Sequence, residues 1–262
     1  MTTTTTPQPS IARMYDFMMG GSRHTGPDRE VARDAVAASP GIKLLIWENR
    51  KLIKRVVRTL VCGGVRQILD IGSGIPARGA VHAIAHAVDP TTRVVYVDID
   101  PTAVARGAEL LADRPSCTAI LGDLTQPEQV LARPELRARL DFSEPVALLF
   151  FNVLHFLDKN AADAALEVYR EALPVGSHLA ISHSTGDFDL GGAGEAIRRV
   201  YAGAYGQANL RTQDEFRLLF GEFELIAPGV VQLPDWRPEP SPLSARLGGT
   251  AVNCYAAVGA KR

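Results

Sequence analysis

What the chain lacks narrows its nature before any motif is read. It has no stretch of about 18 or more uncharged apolar residues, so nothing reads as a transmembrane helix and a soluble protein with no membrane partner is expected. Cysteine is scarce, and Cys62, Cys117 and Cys254 stand singly, without metal-ligand spacing. Lone thiols build neither a disulfide framework nor a metal centre. They fit a reducing cytoplasm, and each is read as a small core residue. An excess of either charge is missing too. Lys plus Arg number 28 against 29 Asp plus Glu, a formal net charge of -1, which leaves no broad basic footprint for a nucleic acid. Met1 to Ser10 is Thr-rich with two prolines and has neither the charged nor the apolar region of a signal peptide, so it is expected to be a disordered tail.

What is present is a chain of 262 residues, 46% of them hydrophobic, enough for one extended α/β domain with an appendage. The appendage is read as helical over residues 11–64. Ile11 to Gly21 holds Arg13, Tyr15, Asp16 and Phe17 and stops at Gly20-Gly21, and a second helix opens at Pro27. From Ile42 to Val61, Leu45, Asn49, Leu52/Ile53, Val56/Val57 and Leu60 recur at helical spacing. Arg50, Lys51, Lys54, Arg55 and Arg58 form the other face, read as solvated rather than as a nucleic-acid stripe.

Residues 65–262 are organised around Gln67 to Ala77. The β-branched run Gln67-Ile68-Leu69-Asp70-Ile71 ends beside a carboxylate and passes into Gly72-Ser73-Gly74, the form of a buried parallel strand handing over to a ligand-binding turn. Gly72 and Gly74 allow backbone angles closed to other residues and close approach of a ligand, and a following helix offers free N–H groups. Gly72 to Ala77 also satisfies the dinucleotide pattern G-x-G-x-x-G/A, and Asp98 lies about 20 residues on, so the motif alone does not separate NAD from S-adenosylmethionine. Asp70 leans towards the latter. A pyrophosphate beside a carboxylate in a low-dielectric cleft is repelled by several kcal/mol on an order-of-magnitude Coulomb scale, whereas a sulfonium and an α-ammonium are attracted. The alternative is an Asp70 that caps the next helix or bonds loop amides.

Further strands carry further candidates. Arg93 to Asp98 ends in an acid able to accept both ribose hydroxyls, with Asp100 capping a helix opened by Pro101. Thr118 to Leu121 leads to Gly122-Asp123, where Asp123 either meets an adenine amino group or caps the next helix, read over Gln126 to Leu140 with a break near Pro134. Pro145 to Phe151 is a central strand buried on both faces and ends at Asn152-Val153-Leu154-His155. His155 is a candidate acid/base, and His183, after a fifth strand over Ser177 to Ser182, shares that edge. Both are equally readable as structural histidines. Helices are read over Ala77 to Val88, over Ala161 to Leu173, within Gly191 to Tyr205, and from a capping box at Thr212 to Glu215. Phe223 to Ala227 and Asn253 to Val258 read as final strands, and Pro234 to Pro242, holding Trp236, as a surface loop.

Arg13-x-Tyr15-Asp16-x-x-x-Gly20-Gly21, Asp28-Arg29, Asn49-Arg50, Leu69 to Pro76, Tyr96-Val97-Asp98-x-Asp100-Pro101, Leu154-His155-Phe156, Gly176-Ser177 and Ser182-His183 together resemble one family. It is an actinobacterial family of S-adenosylmethionine-dependent methyltransferases, long catalogued as a domain of unknown function, within the Rossmann-like class I superfamily. The resemblance runs from about Ile11 to the C-terminus. It implies an α/β fold with a seven-stranded, mostly parallel sheet of order 3-2-1-4-5-7-6, the last strand antiparallel, and an N-terminal segment that folds over the cofactor as a lid. The expected cofactor set is Tyr15, Asp70, Gly72, Ser73, Gly74, Asp98, Ile99, Asp123, Leu124 and Asn152, with His155 as the catalytic candidate, a small molecule as acceptor and no metal. Two other functions remain open: an NAD(P)-dependent oxidoreductase, which lacks a recognisable Tyr-x-x-x-Lys pair here, and a non-catalytic nucleoside-binding protein.

Overall fold

The computed structural model describes residues 8–76, 79–189, 191–239 and 252–262. Five strands lie parallel: β1 (Gln67–Ile71), β2 (Arg93–Asp98), β3 (Cys117–Leu121), β4 (Ala147–Phe151) and β5 (His178–Ser184). Their order is β3-β2-β1-β4-β5, and β8 (Cys254–Ala260) then pairs with β5 in the antiparallel sense. Beyond it, β6 (Glu224–Leu225) faces Ala260 and Gly259, and β7 (Val231–Gln232) faces Ala256 and Tyr255. The expected seven-strand order therefore holds, with the outermost strand split in two. The split falls at Ala227-Pro228-Gly229, where Pro228 has no N–H to give to the ladder and Gly229 takes φ +82°.

β1 and β4 are buried along their whole length, as strands covered by helices on both faces must be. Side-chain alternation puts Leu69 and Ile71 on one face, in a core with Phe150, Leu179 and Tyr169. Ile68 lies on the other with Val94, Leu149 and the apolar stripe of α3 (Ile42–Cys62), and Asp70, two residues on, shares that face. A third cluster, with Met14, Met18, Ala32, Ile46, Phe156 and Tyr201, joins α1 (Ile11–Met18), α2 (Gly26–Ala38), α3 and α9 (Ala193–Tyr205) above the carboxyl ends of the strands.

Several expectations need correction. Gln8, Pro9 and Ser10, assigned to the tail, are part of the fold, for Ser10 caps α1 and the Gln8 carbonyl accepts from Arg13. Residues 1–7 lie outside the described set. Ala77 to Val88 contributes a shorter helix, α4 (Val81–His86), with residues 77–78 undescribed, whereas Gln126 to Leu140 is broken at Pro134 as expected, into α6 (Pro127–Leu131) and α7 (Pro134–Arg137). Arg55 is not on a solvated face. It is buried and donates to the carbonyls of Trp236 and Leu233, and Trp236 itself is a core side chain rather than part of a surface loop. Residues 240–242 of that segment are undescribed. Cys62 is exposed at the end of α3, whereas Cys117 and Cys254 are buried as expected. α5 (Pro101–Leu111) with its Asp100 cap, α8 (Lys159–Glu171), and α10 (Gln213–Leu218) with its capping box follow the sequence reading. Among the described residues no helix is long and apolar enough to cross a membrane.

Candidate active site

A cleft of about 940 Å³ opens at the carboxyl ends of β1 to β4, near the top of the range of about 300–1,000 Å³ usual for small-ligand sites. Asp70, Gly72, Ser73, Gly74, Asp98, Ile99, Asp123, Leu124, Asn152 and Tyr15 all line it. The loop after β1 is shaped by two glycines in the left-handed region, Gly72 at φ +69° and Gly74 at φ +67°. A Cβ on Gly72 would stand 2.4 Å from Val153 Cγ2, so that position admits only glycine, while Gly74 has nothing within 4 Å and leaves its backbone open to a ligand.

Asp70 does not cap α4, whose cap position is Ala80. Its side chain is 6% exposed and accepts no hydrogen bond among the described residues. Burial pushes its carboxyl up to about 7, with the charge of Arg50 pulling it down and that of Asp98 pushing it further up. A lone acid in this state favours a cation beside it. A diphosphate would meet Asp70 and Asp98 together.

Asp98 plays a different part. Its Oδ2 accepts from Gly74 N at 2.7 Å and its Oδ1 from Asp100 N at 2.9 Å, pinning the glycine loop to the tip of β2. Burial still holds this carboxyl above the ordinary carboxylate range. Ile99 beside it is 67% exposed, an apolar surface facing the cleft. Asp123 Oδ1 takes both the amide and the hydroxyl of Thr125, at 2.9 and 2.8 Å, in a turn that precedes α6, while Gln126 occupies that helix's cap position. Its Oδ2 has no partner among the described residues, so the loop-bonding role and a free acceptor coexist in one side chain.

At β4 the chain turns on Asn152, a non-glycine residue at φ +53°. Its N–H bonds the backbone oxygen and the Oγ of Ser182, and its Nδ2 donates to Tyr15 Oη at 3.1 Å. Tyr15 thus reaches from α1 to the floor of the cleft. Burial raises its phenol to about 12, against the hydrogen bond from Asn152. α1 is held there by Arg13, which bridges buried Asp28 at 2.9 Å and Asp100 at 2.7 Å. Asp28 is itself kept below the usual carboxylate range: burial pushes it up, but bonds from Thr25, Ser10 and Arg13 outweigh that.

The structure does not bring His155 into the cleft. Val153, Phe156 and Leu157 line it, but the imidazole of His155 packs behind, its ring centroid 4.2 Å from that of Phe156 and 5.6 Å from that of His183. Its Nδ1 is buried without a partner, and burial, then the neighbouring His183, holds it well below the usual imidazole range. His183 is pushed down to about 3 by burial although its Nδ1 donates to the Ser184 carbonyl at 2.7 Å. Both are neutral rings of the core. Conversely, Arg50, read from the sequence as part of a solvated face, and Asn49, read as part of the apolar stripe, both line the cleft from α3, with Ser182 bonded to Asn49 beneath. Asn49 carried the available signal, since it occupies an apolar register position of α3 with a polar side chain.

Magnesium protoporphyrin IX methyltransferase from Synechocystis PCC 6803, crystallised with bound S-adenosylhomocysteine, superposes with TM-score 0.56 over 95% of this chain and 93% of its own, at 14% identity. At that identity the likeness is one of fold: a mostly parallel sheet in the class I methyltransferase order, with the ligand cleft at the carboxyl ends of its strands. Two crystal structures stand much nearer. A candidate methyltransferase from Thermobifida fusca YX is 37% identical over 97% of this chain and 96% of that one, with TM-score 0.91. A DUF574 family protein from Streptomyces avermitilis MA-4680 is 35% identical over 97% and 98%, with TM-score 0.90. Over residues 2–262 the chain matches the family described as S-adenosyl methyltransferase, and it belongs to that family. None of the curated proteins matches it. The protein is thus an S-adenosyl-L-methionine-dependent methyltransferase rather than the dinucleotide oxidoreductase that the glycine loop alone allowed.

Proposed function

We propose that this methyltransferase acts on a small-molecule acceptor, with Asp70 and the Gly72-Ser73-Gly74 loop taking the methionine end of the cofactor and Asp98 the ribose. Ile99, Asp123 and Leu124 take the adenine, and Asn152 and Tyr15 the centre of the cleft. When bound, the cofactor supplies an electrophilic methyl group for in-line displacement. The residues of the chain position, neutralise and exclude water. The observation that carries the reading is the buried Asp70, which accepts no hydrogen bond among the described residues and whose ionised form a cation in the cleft would favour. Residues 11–64 form the lid and 65–262 the catalytic domain. Arg13 latches α1 over the cleft, which favours an acceptor small enough to be enclosed. No proton transfer is assigned to His155, because its ring is turned from the cleft and neutral. A cytoplasmic setting fits the free cysteines, and an actinobacterial source fits the Thermobifida and Streptomyces relatives.

Calorimetric titration with S-adenosylhomocysteine should give a dissociation constant in the micromolar range, and NADH none. With labelled S-adenosylmethionine and a cell extract, label should enter the low-molecular-weight filtrate. Label confined to retained protein or nucleic acid would overturn the small-molecule reading.

A further inference from the structure

Of the stretch from Arg13 to Gly21, Arg13 holds the lid and Tyr15 reaches the floor of the cleft, but Asp16 has no task in either. It stands in the last turn of α1, where the helix dipole already concentrates negative charge and a carboxylate stabilises nothing. The chain nevertheless bends to hold it. Gly20, at φ +78°, turns the backbone, Gly21 N–H closes on the Asp16 carbonyl at 2.8 Å, and Arg23 N–H donates to Asp16 Oδ2 at 2.7 Å. Glycine at 21 makes room for that side chain, since a Cβ there would collide with Asp16 Oδ1 and Cγ. Oδ1 accepts no hydrogen bond among the described residues, and the Arg23 guanidinium turns away to Glu109. A turn that needs one acceptor would be served equally by asparagine.

The half-buried Asp16 lines the cleft, as do Ile11, Ala12, Tyr15 and Met19 along the same face of α1. Arg13 ties the start of that helix to Asp100, beside the ribose acid, and Tyr15 meets Asn152 at the centre. Asp16 and Met19 thus lie past the centre, away from the nucleoside end. From α3, Trp47 lines the cleft next to Ile46, which packs with Met14 and Met18 of α1. Trp47 is 51% exposed, lies off the apolar stripe of its helix, and stacks on no ring among the described residues. An indole left open on a cavity is a surface for an apolar, ring-bearing ligand.

Methyl transfer to a hydroxyl or amine leaves a proton to be removed. The lone pair of the acceptor heteroatom forms the new bond to the methyl carbon, the carbon–sulfur bond breaks with its electron pair passing to sulfur, and the heteroatom gives up its proton. Few groups in the cleft can take it. Asp70 faces the cofactor's cation, Asp98 and Asp100 each have both oxygens bonded, and burial keeps the Tyr15 proton in place up to about 12. Neither His155 nor His183 lines the cleft, and Asp123 stands at the adenine end.

We propose that Asp16 is the catalytic base. Its Oδ1 takes the proton of a hydroxyl or amine on an apolar, ring-bearing acceptor that lies against Trp47 and Met19, and returns it to solvent when the product leaves. Gly21 is a positioning residue that holds the carboxylate in place. This assignment rests on the methyltransferase reading and deepens it at the acceptor.

The test compares the full chain with four variants, after melting curves establish that each is folded. Asp16→Asn keeps an oxygen for the Arg23 N–H, Asp16→Glu keeps the charge, Gly21→Ala displaces the carboxylate without removing it, and Trp47→Ala removes the indole. S-adenosylhomocysteine is titrated calorimetrically, and label transfer from S-adenosylmethionine to the low-molecular-weight filtrate of a cell extract is measured against extract dilution. Affinity for S-adenosylhomocysteine should stay within about threefold of wild type throughout. The rate at saturating extract should fall about 100-fold or more in Asp16→Asn and Gly21→Ala and recover in part in Asp16→Glu. Trp47→Ala should instead raise the amount of extract that gives half the maximal rate. An Asp16→Asn rate within about threefold of wild type overturns the base, as does a parallel loss of S-adenosylhomocysteine affinity, which would place Asp16 at the cofactor. An unchanged half-saturating amount in Trp47→Ala overturns the ring-bearing class of acceptor. A wild-type protein that binds S-adenosylhomocysteine but labels nothing overturns the proposal, and one that does not bind it sinks the methyltransferase reading itself.

Discussion

Two sets of buried ionisable groups stand at the carboxyl ends of the strands: Asp70 on β1, and the His155–His183 pair after β4 and on β5. Burial works against charge in both, lifting Asp70 to about 7 and driving His183 to about 3. What separates them is the side they face. Asp70 opens on the cleft, where a cationic ligand can restore its charge, whereas neither imidazole lines it: His155 packs against Phe156 and His183, and His183 against Phe216. Position at the sheet edge is therefore no sufficient mark of function. Access to the cavity decides which buried charge is recoverable, and hence useful.

Substitution of Asp70 should sharpen that contrast most. Asp70→Asn removes the counter-charge and is expected to weaken binding of S-adenosylmethionine by about 100-fold, the equivalent of about 3 kcal/mol, in calorimetry. The same change should stabilise the ligand-free protein. The native state keeps a proton on Asp70 up to about pH 7 that the unfolded chain releases near the ordinary carboxylate value, so stability is lost as pH rises through that window. A rise of about 1–4 kcal/mol in the unfolding free energy of Asp70→Asn at pH 8 would show this by denaturant titration. A variant that binds normally would break the comparison.

Asp98 is the satisfied acid against which Asp70 can be set. Asp98→Asn has one carbonyl oxygen for the two amides of Gly74 and Asp100, and should weaken S-adenosylhomocysteine and adenosine alike, by about 10- to 30-fold. Adenosine binding left intact would show that this acid serves the loop alone. A smaller effect is expected from pH. Because the cation needs the ionised carboxylate, affinity should rise about tenfold between pH 6 and pH 8, and binding at pH 6 should release a proton detectable as a buffer-dependent heat. The least effect belongs to the histidines. His155→Leu should leave kcat and cofactor affinity within about threefold of wild type, since a neutral ring with an unpartnered Nδ1 is replaced by an apolar side chain of similar reach. A fall of several orders of magnitude with loss of one limb of the pH–rate profile would restore it as an acid/base.

Much of the fold was legible because it follows from local pattern. The apolar runs of β1, β2 and β4, the proline and acid at the start of α5, and the Thr212–Glu215 box are short-range signals, and the elements stand where those signals put them. The split edge strand was not legible, since β6 and β7 are two residues each and exist only by pairing with β8. Arg55 and Trp236 misled for a related reason. A helical repeat says which residues share a face, but not that a 3-10 turn at Leu233–Asp235, 170 residues and more along the chain, will offer its carbonyls to that face.

By itself, then, the amino-acid order determined a doubly wound sheet, an acid leading into a glycine bend, and acids at the next two strand tips, because strand burial and turn geometry depend on near neighbours. Only the folded molecule decided which way each of those groups faces. Asp70 came to lie alone in a cavity with Arg50, Asn49 and Tyr15 around it, and His155 to lie behind it, because helices from distant stretches of chain close over the sheet edge. Their packing leaves some polar groups without partners and seals others away.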